Sequence, residues 1–112
     1  MEAVAEIPKH LAFDFNSNIP EKHKENIKKA YYLLKNEGCK NVYLFGSMVT
    51  GKIHAHSDID IGIKGIPEGN FLGIYAKLLF NLNIKFDLVN FDFDHQLFEL
   101  LDSLGEVVEI GR

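Results

Sequence analysis

The period of the apolar positions changes several times along this chain, and each change predicts a switch between helix and strand. Ile27, Ala30, Tyr31 and Leu34 follow the i, i+3, i+4, i+7 spacing of an amphipathic helix. We expect that helix to begin near residue 18 or 19, with a proline and a glutamate in its first turn, and to end before Gly38. Further helical patterns cover residues 70–82 and 93–104, while short apolar runs predict strands at 42–45, 58–64, 84–90 and 107–110.

The predicted order of helix, strand, strand, helix, strand, helix and strand is typical of an α/β or α+β fold, in which helices cover one face of a sheet. Residues 48–57 are small and polar, which predicts a short helix or turn followed by a loop. Residues 1–17 lack clear periodicity and are interpreted as an N-terminal extension, which leaves residues 18–112 as one domain. The second and third main helices are expected to face the core through leucines and one tyrosine: Leu72, Tyr75, Leu79 and Leu82, then Leu97, Leu100, Leu101 and Leu104.

Composition narrows the classes of function. The chain has 112 residues, which is enough for one small domain with its own core. Its formal charge of −4 and isoelectric point of about 5.7 argue against direct nucleic-acid binding, because such surfaces are normally basic. Cys39 is the single cysteine, so no intramolecular disulfide can form and a reducing, cytoplasmic location is expected. No apolar stretch approaches the length of about 18 residues that a membrane-spanning helix needs.

Two aspartates interrupt an otherwise apolar strand. Asp58 and Asp60 flank one isoleucine, so on a strand both carboxylates lie on one face, about 6–7 Å apart along the backbone. Carboxylates are rarely buried without a partner, and their oxygens are ligands that suit Mg²⁺. Two such ions can clamp the attacking and leaving oxygens of a phosphoryl group. We expect a third carboxylate, Asp87, from a neighbouring strand, whereas Asp92 and Asp94 follow that strand, where aspartate caps a helix.

A Gly-Ser pair ends the apolar run at 42–45, with ten residues between it and Asp58. Gly46 lets the backbone approach a ligand closely, and Ser47 offers a hydroxyl and a backbone N–H. If a helix begins there, its free N–H groups attract a phosphate. Gly-Ser pairs are also common in turns, so the phosphate interpretation depends on the nearby aspartate pair.

Together these motifs resemble the signature of the polymerase-beta-like nucleotidyltransferase superfamily, and the short length resembles its minimal nucleotidyltransferase branch. The resemblance is carried by Phe45-Gly46-Ser47, by Gly51, by the run from Ser57 to Ile61 and by the later strand aspartate. It extends from about Pro20 to Ile110, which is most of the chain. It implies the nucleotidyltransferase fold, a mixed β-sheet with helices packed mainly on one face, and Mg²⁺-dependent transfer of a nucleotide, most often from ATP.

The resemblance also implies a role for each motif residue. Gly46 and Ser47 would hold the triphosphate. Asp58 and Asp60 would bind the metals, two Mg²⁺ ions in all. Asp87 would bind the catalytic metal and help to deprotonate the acceptor hydroxyl.

One position departs from the family pattern. Many relatives carry arginine directly after Gly-Ser, which places a cation beside the phosphates, whereas this chain has Met48. If the segment is helical, Lys52 lies one turn further on and replaces that charge. Lys52 is therefore the candidate cation of the phosphate site, with a solvated loop lysine as the alternative.

Many minimal members are antitoxins, and this implies the partner and the acceptor. Such antitoxins attach AMP to a tyrosine of a small helical HEPN-domain ribonuclease, which silences the toxin. Two alternatives stay open. One is transfer to a small molecule such as an aminoglycoside, with a homodimer completing the pocket. The other is a non-catalytic antitoxin that masks its partner sterically.

Overall fold

Helices and strands alternate along the chain in the predicted order. The computed structural model describes residues 19–53, 56–67 and 69–111, so the predicted extension at residues 1–17 lies outside the described residues. The first helix begins at Glu21, later than predicted, because Pro20 keeps an extended backbone and serves as its N-cap. The bounds are α1 Glu21–Asn36, β1 Asn41–Phe45, α2 Ser47–Thr50, β2 Ile59–Lys64, α3 Phe71–Asn81, β3 Phe86–Asn90, α4 His95–Ser103 and β4 Val107–Ile110.

The strands form one mixed sheet in the order β3-β2-β1-β4. Strand β1 pairs antiparallel with both β2 and β4, while β2 and β3 run parallel. Parallel neighbours need a crossover connection, and α3 supplies it between β2 and β3. The predicted α+β class and mixed sheet are therefore confirmed.

Alternation along the strands gives the sheet two different faces. Val42 and Leu44 of β1 and the three isoleucines of β2 lie in the larger cluster, with the buried sides of α1 and α3. Tyr43 of β1 lies on the other face, in a smaller cluster with Phe91 and with Leu101 of α4. Helices α1 and α3 thus pack on one face, and α4 covers part of the other. Within the described chain, none of the helices combines the length and the apolar character that crossing a bilayer requires.

The predicted apolar face of α3 is partly wrong. Leu72 is 79% exposed and Leu79 is 56% exposed, whereas Ile74 and Leu78 are completely buried. Nearly every position of this helix is apolar, so two overlapping stripes satisfy helical spacing. Contact with the sheet selects the stripe that contains Ile74 and Leu78, and Leu82 joins it just past the helix end.

The predicted face of α4 is also partly wrong. Leu101 is buried and Leu97 packs against it, as expected, but Leu100 and Leu104 are 55% and 58% exposed. Phe98 takes their place, because its ring lies 5.2 Å from the rings of both Tyr43 and Phe91. Leu104 lies beyond the last residue of α4, so helical periodicity no longer places it.

Candidate active site

The sheet register places two of the predicted carboxylates side by side. Asp60 on β2 pairs directly with Asp87 on β3, and both therefore lie on the same face of the sheet. Asp58 immediately precedes β2. The sequence separates Asp87 from the other two by a whole helix, so the parallel pairing brings together residues that are distant in the chain.

Burial and the neighbouring negative charges both disfavour the ionised form of Asp60. Burial, followed by the neighbouring charges of Asp87 and Asp58, raises the pKa of Asp60 from 3.8 to about 6. Asp58 and Asp87 are exposed, whereas Asp60 is partly buried. A partly buried carboxylate with two further carboxylates beside it is a donor set that a divalent cation stabilises.

Asp60 and Asp87 share a face of the sheet, but the three carboxylates do not form a closed cage. In the described part of the chain, no three His, Cys, Asp or Glu side chains converge closely enough to hold a metal ion as they stand. The backbone register of Asp60 and Asp87 is fixed by the sheet, while the side chains of Asp58 and Asp87 are exposed and can rotate. The carboxylate oxygens are therefore ligands that suit Mg²⁺, and rotation of the exposed side chains would bring them to a bound ion.

Burial of Asp60, together with repulsion by Asp87 and Asp58, predicts that asparagine at position 60 stabilises the metal-free protein. The folded-state pKa of Asp60 lies above its ordinary value, so ionised Asp60 destabilises the fold as pH rises from about 4 to above 6. Asp60→Asn should therefore gain about 1 to 2 kcal/mol near pH 7.5, after allowance for solvent screening, and almost nothing near pH 4. Urea denaturation in EDTA at both pH values measures this difference. A variant less stable than wild type at both would contradict it.

Gly46 lies against the Asp60 carboxylate. It is the residue before α2, with φ +72° and ψ −140°, a conformation that side-chain-bearing residues rarely adopt. A Cβ atom at this position would also overlap Asp60 Oδ2. Glycine is therefore required both by the backbone conformation and by the close approach of the carboxylate.

The segment after Gly46 gives a mixed result for the predicted phosphate site. Ser47 is the first residue of α2, as predicted for a Gly-Ser turn that opens a helix. Met48 points into the larger core cluster and is 2% exposed. The helical placement of Lys52 is wrong, because α2 ends at Thr50 and Gly51 (φ +86°) turns the chain away. Lys52 is an exposed residue beyond the helix.

The two rival aspartates have structural roles away from the cluster. Asp92 Oδ2 accepts a hydrogen bond of 2.6 Å from the backbone N–H of Gly65. Asp94 is the N-cap of α4 and accepts from the backbone N–H of Leu97 at 3.3 Å. The cap at Asp94 is the role predicted for an aspartate after this strand, and Asp87 stays the predicted third ligand.

Two buried polar residues of α1 hold the segments that carry the carboxylates. His23 is 1% exposed, and its Nε2–H donates to the carbonyl oxygen of Ser57, 2.7 Å away. Asn26 is equally buried and bonds Asn83 twice, since its amide nitrogen donates to Asn83 Oδ1 and its Oδ1 accepts from the Asn83 backbone N–H. Ser57 leads into Asp58, and Asn83 leads into β3. Helix α1 therefore holds both segments in place through these hydrogen bonds.

The hydrogen bonds of His23 and Asn26 were not predicted from the sequence. The only available signal was spacing, because His23 lies four residues before Ile27 and so continues the apolar stripe of α1. A polar residue on a buried stripe needs a hydrogen-bond partner, but the identity of that partner depends on tertiary packing.

Removal of the His23 bond should loosen the segment before Asp58. We expect His23→Leu to cost about 1 to 3 kcal/mol of stability, since the carbonyl of Ser57 loses its buried donor. His23→Gln places an amide N–H near the Nε2 position and should recover most of that loss. Chemical denaturation of the two variants beside wild type measures the difference. Equal stability of all three proteins would show that the bond contributes nothing.

The family model of polymerase beta nucleotidyltransferases matches residues 21–104. The chain belongs to this family. The match contains the Gly-Ser pair and all three carboxylates, and the protein is accordingly a nucleotidyltransferase. No curated protein sequence matches the chain significantly.

Two solved structures share the fold of this nucleotidyltransferase. One is a crystal structure of a toxin–antitoxin with AMP-PNP, with 24% identity over 72% of this chain and 68% of the other, and a TM-score of 0.58. The second is the toxin–antitoxin MntA-HpeT in a mutant with two aspartate-to-glutamate changes, with 22% identity, the same two coverages and a TM-score of 0.57. These likenesses extend the family assignment to the three-dimensional fold.

Proposed function

We propose that this nucleotidyltransferase moves AMP from Mg²⁺-bound ATP to a hydroxyl of a partner protein, as an antitoxin of a toxin–antitoxin pair. The observation that carries the proposal is the pairing of Asp60 with Asp87, beside Asp58, directly against Gly46. Carboxylates that can bind a cation thus lie next to Gly46, whose backbone a phosphate can approach closely. The family match supplies the reaction class.

Each residue of the cluster would have a distinct task. Asp58, Asp60 and Asp87 would hold two Mg²⁺ ions, which when bound offset the charge of the reacting phosphates. Gly46 and Ser47 would receive the triphosphate through backbone N–H groups and the serine hydroxyl. Asp87 is exposed beside Asp60 and would accept the proton of the attacking hydroxyl.

Lys52 is retained as the cation of the phosphate site with a different rationale. It does not lie on the helix that begins at Ser47, but it is exposed and directly follows Gly51, between α2 and Asp58. A long, flexible lysine side chain there can approach the phosphates from solvent. Its contribution should be that of a point charge, smaller than that of the carboxylates.

The proposed reaction is an in-line displacement at the α-phosphorus. The hydroxyl oxygen of the acceptor forms a bond to the α-phosphorus, and the bond from that phosphorus to the bridging α–β oxygen breaks. Pyrophosphate leaves with the electron pair, and the hydroxyl proton passes to a carboxylate and then to water. The protein contributes mainly positioning and charge neutralisation.

The antitoxin role is supported by the two fold relatives. Both are toxin–antitoxins, and one was crystallised with AMP-PNP, an analogue of ATP. The mutated aspartates of the other lie two positions apart, which is the spacing of Asp58 and Asp60. We extend this to a small helical HEPN-domain toxin as the partner, a tyrosine as the acceptor and the cytoplasm as the compartment.

Intact-mass spectrometry of the partner tests the proposal. The chain is coexpressed with the product of the gene next to its own, in wild-type form and as Asp58→Ala. We expect the wild type to raise the partner's mass by about 329 Da per AMP, and the variant to leave it unchanged. Tight binding with no mass change for either protein would overturn transfer and support steric masking instead. Transfer by Asp58→Ala at the wild-type level would overturn the metal site.

A further inference from the structure

Three large apolar side chains lie exposed on α4 and at its two ends. Phe93, before the helix, is 87% exposed, Leu100 on the helix is 55% exposed, and Leu104, just after it, is 58% exposed. The partly buried Leu97 lies between the first two and is a neighbour of Leu100 on the helix surface, three residues away. We call Phe93, Leu100 and Leu104 the α4 stripe. Exposed apolar side chains that are grouped, rather than scattered singly, mark surfaces that bind another molecule.

Backbone hydrogen bonds hold the stripe in place at both ends of α4. Before the helix, the N–H groups of Phe93 and Asp94 both donate to the carbonyl oxygen of Asn90, over 3.1 and 2.9 Å. After the helix, the N–H of Leu104 donates to the carbonyl oxygen of Leu100 over 3.1 Å. The three side chains are therefore exposed on a hydrogen-bonded backbone and not on a frayed helix end.

Helix α4 lies on the face of the sheet that carries Asp60 and Asp87. Phe45 on β1 pairs directly with Asp60, so Tyr43, two residues earlier on β1, shares the face of the carboxylates. The Phe98 ring of α4 lies 5.2 Å from the Tyr43 ring. Helix α4 therefore packs on the carboxylate face of the sheet, whereas α1 and α3 pack on the other face.

The C-terminal end of the stripe lies close to the Gly-Ser turn. The backbone N–H of Gly46 donates to the carbonyl oxygen of Glu106 over 3.3 Å, and Leu104 is two residues before Glu106. Gly46 in turn lies against the carboxylate of Asp60. A protein bound along α4 would therefore lie next to the carboxylates, where the proposed function requires its hydroxyl to arrive.

The charge of this part of the chain indicates the chemistry of that protein. Residues 86–111 contain seven acidic residues and no lysine or arginine, whereas the rest of the chain has nine acidic and twelve basic residues. Lys64 of β2 does reach α4, since its ammonium group lies 3.6 Å from the centre of the Phe98 ring, but one lysine leaves the segment strongly negative. An apolar stripe within an acidic segment fits a partner surface that is apolar at its centre and basic around it.

A second copy of this chain fits the stripe less well. Symmetric pairing through α4 would place the acidic segments of the two copies against each other, and like charges oppose that contact. Among the described residues, the exposed large apolar side chains lie on or beside α3 and α4. The lysine-rich helix α1 therefore offers none to pack against the stripe of another copy.

We propose that the α4 stripe is the docking surface for the partner protein, and that the partner covers it with an apolar surface bordered by lysine or arginine residues. Leu100 is the central contact of this surface. Asp102, two residues further on and about 200° around the helix, lies outside it. The inference rests on the proposed function, because transfer to a protein needs a surface that holds that protein beside the carboxylates.

Binding measured without nucleotide tests the surface separately from the reaction. The product of the neighbouring gene is titrated with the wild-type chain, Leu100→Lys and Leu79→Lys, after thermal denaturation has shown that the variants are folded. Leu79→Lys is the matched control, because Leu79 is 56% exposed and lies on α3, on the opposite face. We expect Leu100→Lys to weaken binding at least about tenfold, and Leu79→Lys to stay within about twofold of wild type.

Leu100→Glu tests the charge of the partner. Both substitutions at this position remove the apolar contact, but a basic partner attracts the glutamate and repels the lysine. We expect Leu100→Glu to bind at least about threefold more tightly than Leu100→Lys at low ionic strength, with a smaller difference near 0.5 M salt. Tighter binding by Leu100→Lys than by Leu100→Glu would overturn the basic partner surface.

The other outcomes separate the docking surface from the transfer reaction. Absence of binding to the wild type, or equal binding by Leu100→Lys and Leu79→Lys, would overturn the surface. A wild-type dimer that light scattering shows to be dispersed by Leu100→Lys would assign the stripe to a second copy instead. Binding that depends on Leu100 but adds no AMP to the partner would support the surface and contradict the proposed transfer. Equal addition of AMP by wild type and Leu100→Lys would do the reverse.

Discussion

Asparagine in place of Asp58 or Asp60 is expected to lower nucleotidyl transfer by about a thousandfold or more. Each substitution removes a negative charge from a cluster whose members already repel one another, so the remaining carboxylates hold divalent ions less tightly. A bound metal contributes several kcal/mol of charge stabilisation, and each 1.36 kcal/mol is about tenfold in rate. Transfer of label from α-phosphate-labelled ATP to the partner protein measures the loss.

Asp102→Asn is the matched control for these variants. Asp102 is an exposed aspartate on α4, on neither of the strands that carry the cluster, so the same change of charge there should leave transfer within about twofold of wild type. Asp60→Asn should also be the more stable protein when metal-free, so its lost activity would not reflect unfolding. Activity of Asp60→Asn near the wild-type level would remove the carboxylate cluster from the mechanism.

Alanine at Gly46 is expected to damage both stability and activity. The backbone there has φ +72° and ψ −140°, and forcing a residue with a side chain into such a conformation costs about 1 to 3 kcal/mol. The new methyl group would also overlap Asp60 Oδ2 and displace the carboxylate. Because a misplacement of about 1 Å can cost a hundredfold in rate, we expect a loss of transfer of that order.

Gly51→Ala separates these two effects. Gly51 also has a positive φ, +86°, but a Cβ atom there meets no atom within 4 Å. This variant should lose about 1 kcal/mol through its backbone and keep its nucleotide transfer. Thermal denaturation and the transfer assay on the two alanine variants compare them directly. Equal activity of Gly46→Ala and Gly51→Ala would show that the close approach to Asp60 has no catalytic importance.

The pairing of Asp60 with Asp87 was predictable because it depends on local rules. A helical crossover makes the next strand a parallel neighbour that can supply Asp87. The predicted shared strand face of Asp58 and Asp60 has no counterpart in the register, because Asp58 lies just before β2. Asp92 and Asp94 could be set aside for the same reason, since aspartates after a strand usually cap the next helix. The roles of Asp58, Asp60 and Asp87 as metal ligands remain proposals.

The remaining features depend on packing that the sequence does not encode locally. The face of α3 could not be chosen because Leu72 and Ile74 belong to two apolar stripes of similar length, and only the sheet decides between them. The length of α2 depends on the left-handed conformation of Gly51, which moved Lys52 off the helix. The hydrogen bond from His23 to Ser57 joins segments 34 residues apart in sequence.

Calorimetric titration with α,β-methylene-ATP tests the central claim most directly, because this analogue cannot donate its AMP. The claim is that Asp58, Asp60 and Asp87 hold a metal-bound nucleoside triphosphate beside Gly46. We predict binding with a dissociation constant between about 1 μM and 1 mM in Mg²⁺. Binding should weaken at least about tenfold in EDTA and to a similar degree in Asp58→Asn and Asp87→Asn. Binding of equal strength with and without Mg²⁺, unchanged by both substitutions, would contradict the account.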